Sequence, residues 1–341
     1  MSLSDVVAVL LFVGVVAYAL FGGADFGSGV WDLLAGGDES GGMLRAQIDR
    51  SIGPVWEANH VWLIYILVFT WTAFPTAFSA LMSTLFVPFL LVGFGIVLRG
   101  ATFAFRKFSA TLGEARLYGV LFASSSLITP FFLGMIAGAV ASGRVPAEGY
   151  GDRWTSWTGP TSWLGGALAV LTCTFLAGTF LTADLARAGH DDMAATMGRR
   201  ALVAGAITGA VALAAVFVLE RDAESLADGL HGRGAALIVV SAVAGLFSLW
   251  RLHAGRWARA RVGAVIAVAA IVIGWGVGQY PDLLVDEMTL AEAAGARSTL
   301  IGLIIVFGFA SVTAVPAMLW LFVLVNRPEW APETGPPAKS E

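Results

Sequence analysis

The chain has 341 residues, of which 57% are apolar and 13% charged, with a mean hydropathy of +0.80. A water-soluble domain carries about 25% charged residues, so the composition excludes an ordinary soluble globule and points to a membrane protein. The formal charge of −4 says little by itself, no nucleotide or nucleic-acid motif appears, and the single Cys173 excludes an internal disulfide or a cysteine metal cage.

Taken in chain order, apolar runs long enough to cross a bilayer fall at roughly 5–34, 54–74, 77–99, 118–142, 161–183, 201–219, 234–252, 262–280 and 299–325. The expected fold is all-α: nine transmembrane helices in bundle-like packing, forming one domain over 1–327, with a disordered tail over 328–341. The first run does not read as a cleaved leader, because Asp5 replaces a basic start and no cleavage site follows. A weak repeat of about four spans cannot be demonstrated from the residues.

Basic residues orient the spans. Alternate loops hold Arg45 and Arg50; Arg99, Arg106, Lys107 and Arg116; Arg187, Arg199 and Arg200; Arg251, Arg256, Arg259 and Arg261; and Arg327 and Lys339. The opposite loops hold Arg144, Arg153, Arg221, Arg233 and Arg297. This asymmetry places the N-terminus outside and the C-terminus in the cytoplasm. Acidic residues, Asp222 among them, read as ordinary solvated outer loops.

The chemistry-bearing residues concentrate near the first two spans. Asp25, Ser28 and Asp32 share one face of span 1, beside the small residues Gly23, Gly27 and Gly29, which let another helix approach closely. Span 2 opens with Pro54 in its first turn, then Trp56, Glu57, Asn59 and His60. Glu57 and His60, at i and i+3, face the same way, with Asn59 round the helix. Asp25 and Glu57 come to similar depth near the cytoplasmic face. Ionisable groups inside a membrane cost several kcal/mol and mark proton or ion paths. The bland alternatives are a structural acid at Asp25, a helix cap at Asp32 and plain packing for Trp56.

The Glu57-x-x-His60 pair also matches half of a di-metal motif, but no span supplies the other half. Of four histidines only His60 falls in a span, so haem ligation by this chain is not expected. Ser124, Ser125, Ser126 and Thr129, and Thr172, Thr174, Thr179, Thr182 and Asp184, form two polar-rich spans. Such hydroxyls relay protons or, more often, bond their own helix carbonyls.

The run from Tyr18 to Val30, through Gly22-Gly23-Ala24-Asp25-Phe26-Gly27, and the run from Ile52 to Leu63, through Pro54-Val55-Trp56-Glu57-Ala58-Asn59-His60, together resemble subunit II of cytochrome bd quinol oxidases. Tyr280-Pro281-Asp282 with Leu290 to Ala294 is similar to that family's last outer loop. The resemblance implies a haem-free subunit in the bacterial plasma membrane, packed on a haem-bearing subunit I that holds haems b and d and oxidises quinol. It implies reduction of O2 to water with protons drawn from the cytoplasm, membrane lipids around the complex and, in some members, small accessory subunits and a structural quinone. It assigns Glu57 and Asp25 to a proton relay, His60 and Asn59 to its support, and Trp56 to quinone contact. The sequence departs from the pattern at Glu57, where Asp is usual, at His60, where Gln or Glu is common, and at Gly22 and Gly23, where an acid is missing. The rival reading is a proton-coupled secondary transporter with Asp25, Glu57 and His60 as its coupling site. A purely structural partner is the third.

Overall fold

The computed structural model describes residues 2–37, 39–52, 56–106 and 111–325. Pro54, Lys107, Arg327 and the tail over 328–341 lie outside the described residues. Helix α1 (Leu3–Leu33) starts at a capping box in which Ser2 and Asp5 exchange hydrogen bonds. It is followed by α2 (Glu39–Ile52), α3 (Trp56–Ala73), α4 (Pro75–Thr84), α5 (Phe86–Arg106), α6 (Leu112–Ala141) and α7 (Pro160–Arg187). Then come α8 (Asp191–Asp222), α9 (Glu224–His231), α10 (Ala235–His253) and α11 (Trp257–Gln279). A two-stranded hairpin, β1 (Asp282–Leu284) and β2 (Met288–Thr289), leads to α12 (Leu290–Ala293) and α13 (Arg297–Val325).

Eight helices among the described residues are long and apolar enough to span a membrane, and a ninth span results if the bent pair 41–51 and 56–73 is one crossing. The all-α, multi-span expectation therefore holds, with two local differences. The segment after span 1 that holds Arg45 and Arg50, expected to be a loop, is a 14-residue helix, α2. Its polar and apolar residues segregate, so it lies across the end of the bundle while Leu44 and Ile48 bury against the core. The third apolar run divides at Leu85 into α4 and α5, and α5 carries on to Arg106.

The long helices fall into two groups. In one, α7, α8, α10 and α11 close a ring of neighbours; in the other, α1 touches α3 and α6, and α6 lies along α5. Helices α1 and α6 join the groups by both running along α7. Glycine makes that approach close: a Cβ on Gly27 would overlap the carbonyl of Cys173 in α7. Cys173 is buried at this seam, a small packing residue as its apolar surroundings suggest. Gly134 of α6 and Gly165 of α7 meet backbone to backbone in the same way.

Polar contacts fasten both ends of the bundle. At the end carrying α2, Asp32 takes Arg45 at 3.1 Å and Arg106 at 2.8 Å, and Asp184 accepts from Ser51 at 3.0 Å and pairs with Arg187 at 2.6 Å. Asp32 is thus the anchor that ties α2 and α5 to α1, beyond the capping role read from sequence. At the opposite end, Asp222 pairs with Arg144 and accepts from the backbone and hydroxyl of Thr161 at 2.9 and 2.6 Å. Asp222 is therefore a clamp between α6, α7 and α8, a correction to the solvated-loop reading.

A buried ion pair beside an aromatic histidine pocket

Asp25 is 4% exposed and lies where the glycine step of α1 faces its neighbours. Its carboxylate receives both arms of the Arg99 guanidinium, at 2.8 Å and 3.2 Å, and Arg99 also donates to the Asp25 carbonyl at 3.2 Å. The Nε of Arg99 donates to Ser126 at 3.1 Å, and its charge sits 5.0 Å over each of the Phe26 and Phe122 rings. Every face of the guanidinium is thereby used. A charge removed from water at this depth persists only with such a full set of partners.

Arg99 corrects the sequence reading. It was counted among the loop residues that orient the spans, but it is 1% exposed inside the bundle. It stands seven residues, about two helical turns, before Arg106 at the true end of α5. The early end assigned to the third span hid it. Once the helix is known to run on to Arg106, an arginine two turns inside it demands a buried acid, and Asp25 is that acid.

The hydroxyls near the pair settle a second alternative. Ser125 and Ser126 bond the carbonyl of Phe122, and Thr129 that of Ser125. Thr174, Thr179 and Thr182 likewise bond carbonyls three or four residues back. They bond their own helices, as such residues usually do, and Ser126 alone of these also accepts from Arg99.

Helix α3 runs antiparallel to α1. Asn59 is buried and its amide reaches the Phe21 carbonyl at 3.4 Å, while Tyr65 donates to Leu10 at 2.8 Å. This alignment brings the start of α3 level with Asp25. Glu57 and His60 do not share a direction, however. His60 turns inward, its ring 6.4 Å from Tyr18, 6.1 Å from Phe26 and 6.1 Å from Trp56. Glu57 is exposed and heads a stripe on the outer face of α3 formed by Val61, Ile64, Val68 and Trp71. Trp56 is half-buried, its ring 5.6 Å from Phe103 and against the flat side of Gly100.

The described histidines other than His60 stand at helix ends, and no cluster of three His, Cys, Asp or Glu side chains occurs among the described residues.

Comparison with known proteins places this architecture. The chain superposes on a chain of the bd oxidase from Geobacillus thermodenitrificans with a TM-score of 0.78 and 22% identity, covering 95% of this chain and 98% of that one. It is 32% identical over 135 residues to cytochrome bd ubiquinol oxidase subunit 2 of Bacillus subtilis (strain 168), a match to 40% of this chain and 39% of that protein. It is 25% identical over 218 residues to the putative cytochrome bd menaquinol oxidase subunit II of the same organism, covering 62% and 61% of the two chains. The two aligned regions thus span about two fifths and three fifths of those relatives. The sequence model described as cytochrome bd terminal oxidase subunit II matches residues 3–325, and the chain belongs to that family.

Proposed function

We propose that this chain is the haem-free subunit II of a bd-type terminal oxidase in a bacterial plasma membrane. It packs against a haem-bearing subunit I, which holds haems b and d and couples quinol oxidation to reduction of O2 to water. The chain's own part is to lead protons inward from the cytoplasmic side, through Glu57 and Asp25, with His60 and Asn59 in support. Lipids and, where present, small accessory subunits surround the pair, and the free part of Trp56 is the contact assigned to a quinone ring.

The observation that carries this reading is the position of Glu57. It is exposed on an otherwise apolar helix face, level with a buried carboxylate that is already paired. Glu57 stands in the first turn of α3, at the end of the helix and not at its centre, where a carboxylate meets both water and a protein neighbour. A carboxylate at such a seam, next to an internal charged pair, is suited to collect protons. Asp25, its carboxylate held by Arg99, is the second acid of the proposed route, further in. The basic end of the bundle, with α2, is the cytoplasmic end on the arginine count.

The test uses the intact complex purified with its partner. Glu57→Ala is expected to lower oxidase turnover at least about tenfold, short of the roughly 10²–10⁴-fold that a positioned general acid or base contributes, with the haem spectrum unchanged. Full turnover in that variant would make the chain a structural partner only.

A further inference from the structure

Three buried polar atoms without a hydrogen-bond partner belong to the neighbouring rings of His60 and Tyr18, namely Nδ1 and Nε2 of His60 and the Tyr18 hydroxyl, and Nε1 of Trp62, packed against the Tyr18 cluster, is a fourth. Tyr18 is 7% exposed and packs with Phe26 and Cys173, with Trp62 at the edge of the same cluster. Leaving a buried donor or acceptor unsatisfied costs about 1–3 kcal/mol each. Unsatisfied atoms on two neighbouring rings, His60 and Tyr18, are the groups a small polar guest would satisfy. A buried water is held by two to four such groups, and histidine and tyrosine offer both donors and acceptors.

The place is also chemically directed. The Phe26 ring touches His60 on one side and carries the Arg99 charge 5.0 Å from its centre. His60 and Tyr18 both lie within electrostatic reach of Asp25 and Arg99. Glu57 is one turn away on the helix of His60. The titratable and charged groups around His60 are thus Glu57 on α3, Tyr18 and Asp25 on α1 and Arg99 on α5, with Cys173 of α7 beyond Tyr18.

We propose that His60 and Tyr18 hold a buried water beside the Asp25–Arg99 pair, and that His60 hands to that water protons that reach it from the outward-facing Glu57 through solvent at the start of α3, not by direct contact. The imidazole takes a proton on one nitrogen and releases the proton on its other nitrogen to the water; exchange of tautomers resets it. The inference rests on the proposed proton role of Glu57.

The test compares His60→Phe, which keeps the ring packing and removes both nitrogens, with Glu57→Ala in the assembled oxidase. The expected result for His60→Phe is turnover lowered about tenfold or more, an intact haem spectrum and a pH profile that loses an ionisation. Where His60→Phe does not assemble, His60→Gln, which hydrogen-bonds but does not titrate, gives the same pH reading. A high-resolution map of the wild-type complex should show a water within hydrogen-bonding distance, about 3 Å, of His60 and Tyr18. Normal turnover in His60→Phe with slow Glu57→Ala overturns the histidine route and leaves the proposed function standing. Normal turnover in both overturns both. Slow turnover with an unchanged pH profile makes His60 a packing residue and overturns the relay, as does a dry pocket in a map that resolves other buried waters.

Discussion

At the scale of single residues, the Asp25–Arg99 pair decides most about this chain. Removing one partner of a buried pair leaves an uncompensated charge and costs about 3–5 kcal/mol, whereas removing both can be close to neutral. Arg99→Gln is therefore expected to reduce the yield of folded complex sharply, and Asp25→Asn with Arg99→Gln to recover much of it. Thermal unfolding of the three detergent-solubilised complexes checks this; a double variant no better than Arg99→Gln alone would show that the pair is not the source of the loss. The acid at 25 was legible in the sequence because a carboxylate among glycines in a membrane helix is unusual. Its partner was not, because an arginine near the end of an apolar run looks the same whether it meets headgroups or a buried acid. The inward turn of His60 was hidden for a related reason: residues three apart share a face only to within a broad angle.

At the scale of elements, sequence pattern located the spans but not what happens between them. Helix α2 was missed because its glycines and charges dilute the helical signal, and tertiary contacts supply what propensity lacks. Leu44 and Ile48 bury, while Arg45 reaches Asp32. Asp32→Asn is expected to loosen α2, seen as faster amide exchange over 39–52 with the exchange of α7 unchanged; unchanged protection of α2 would refute the anchor. The α1–α7 seam gives a second expectation. Gly27→Leu must push apart two backbones and should abolish assembly, while Gly42→Ala in α2, with open space around it, should leave assembly intact. The last extramembrane loop is held by a capping box, in which the Thr289 backbone N–H and then its hydroxyl keep the Glu292 carboxyl below its usual value of 4.5. A lowered carboxyl contributes order above its titration range and loses it below. Protection of residues 282–293, with the intrinsic pH dependence of amide exchange divided out, should accordingly fall as pH drops below that value, and Glu292→Gln should remove this fall.

At the scale of the whole molecule, the described long helices form two four-helix groups joined where α1 and α6 run along α7, with α13 beside α1 and α3. Composition and hydropathy were sufficient to read the all-α membrane architecture, since only helices and closed barrels satisfy the backbone in lipid. The grouping was not legible, because the glycine contacts that create it involve residues far apart in sequence. The central claim is that this subunit conducts protons toward a reaction carried out on its partner. It is tested most directly by measuring proton uptake with a pH-indicating dye during a single turnover of the purified complex with O2, wild type against Glu57→Ala. The account predicts that uptake slows in step with haem reoxidation in the variant, by about tenfold or more, with electron entry from quinol unaffected. Uptake at the wild-type rate in Glu57→Ala would contradict it.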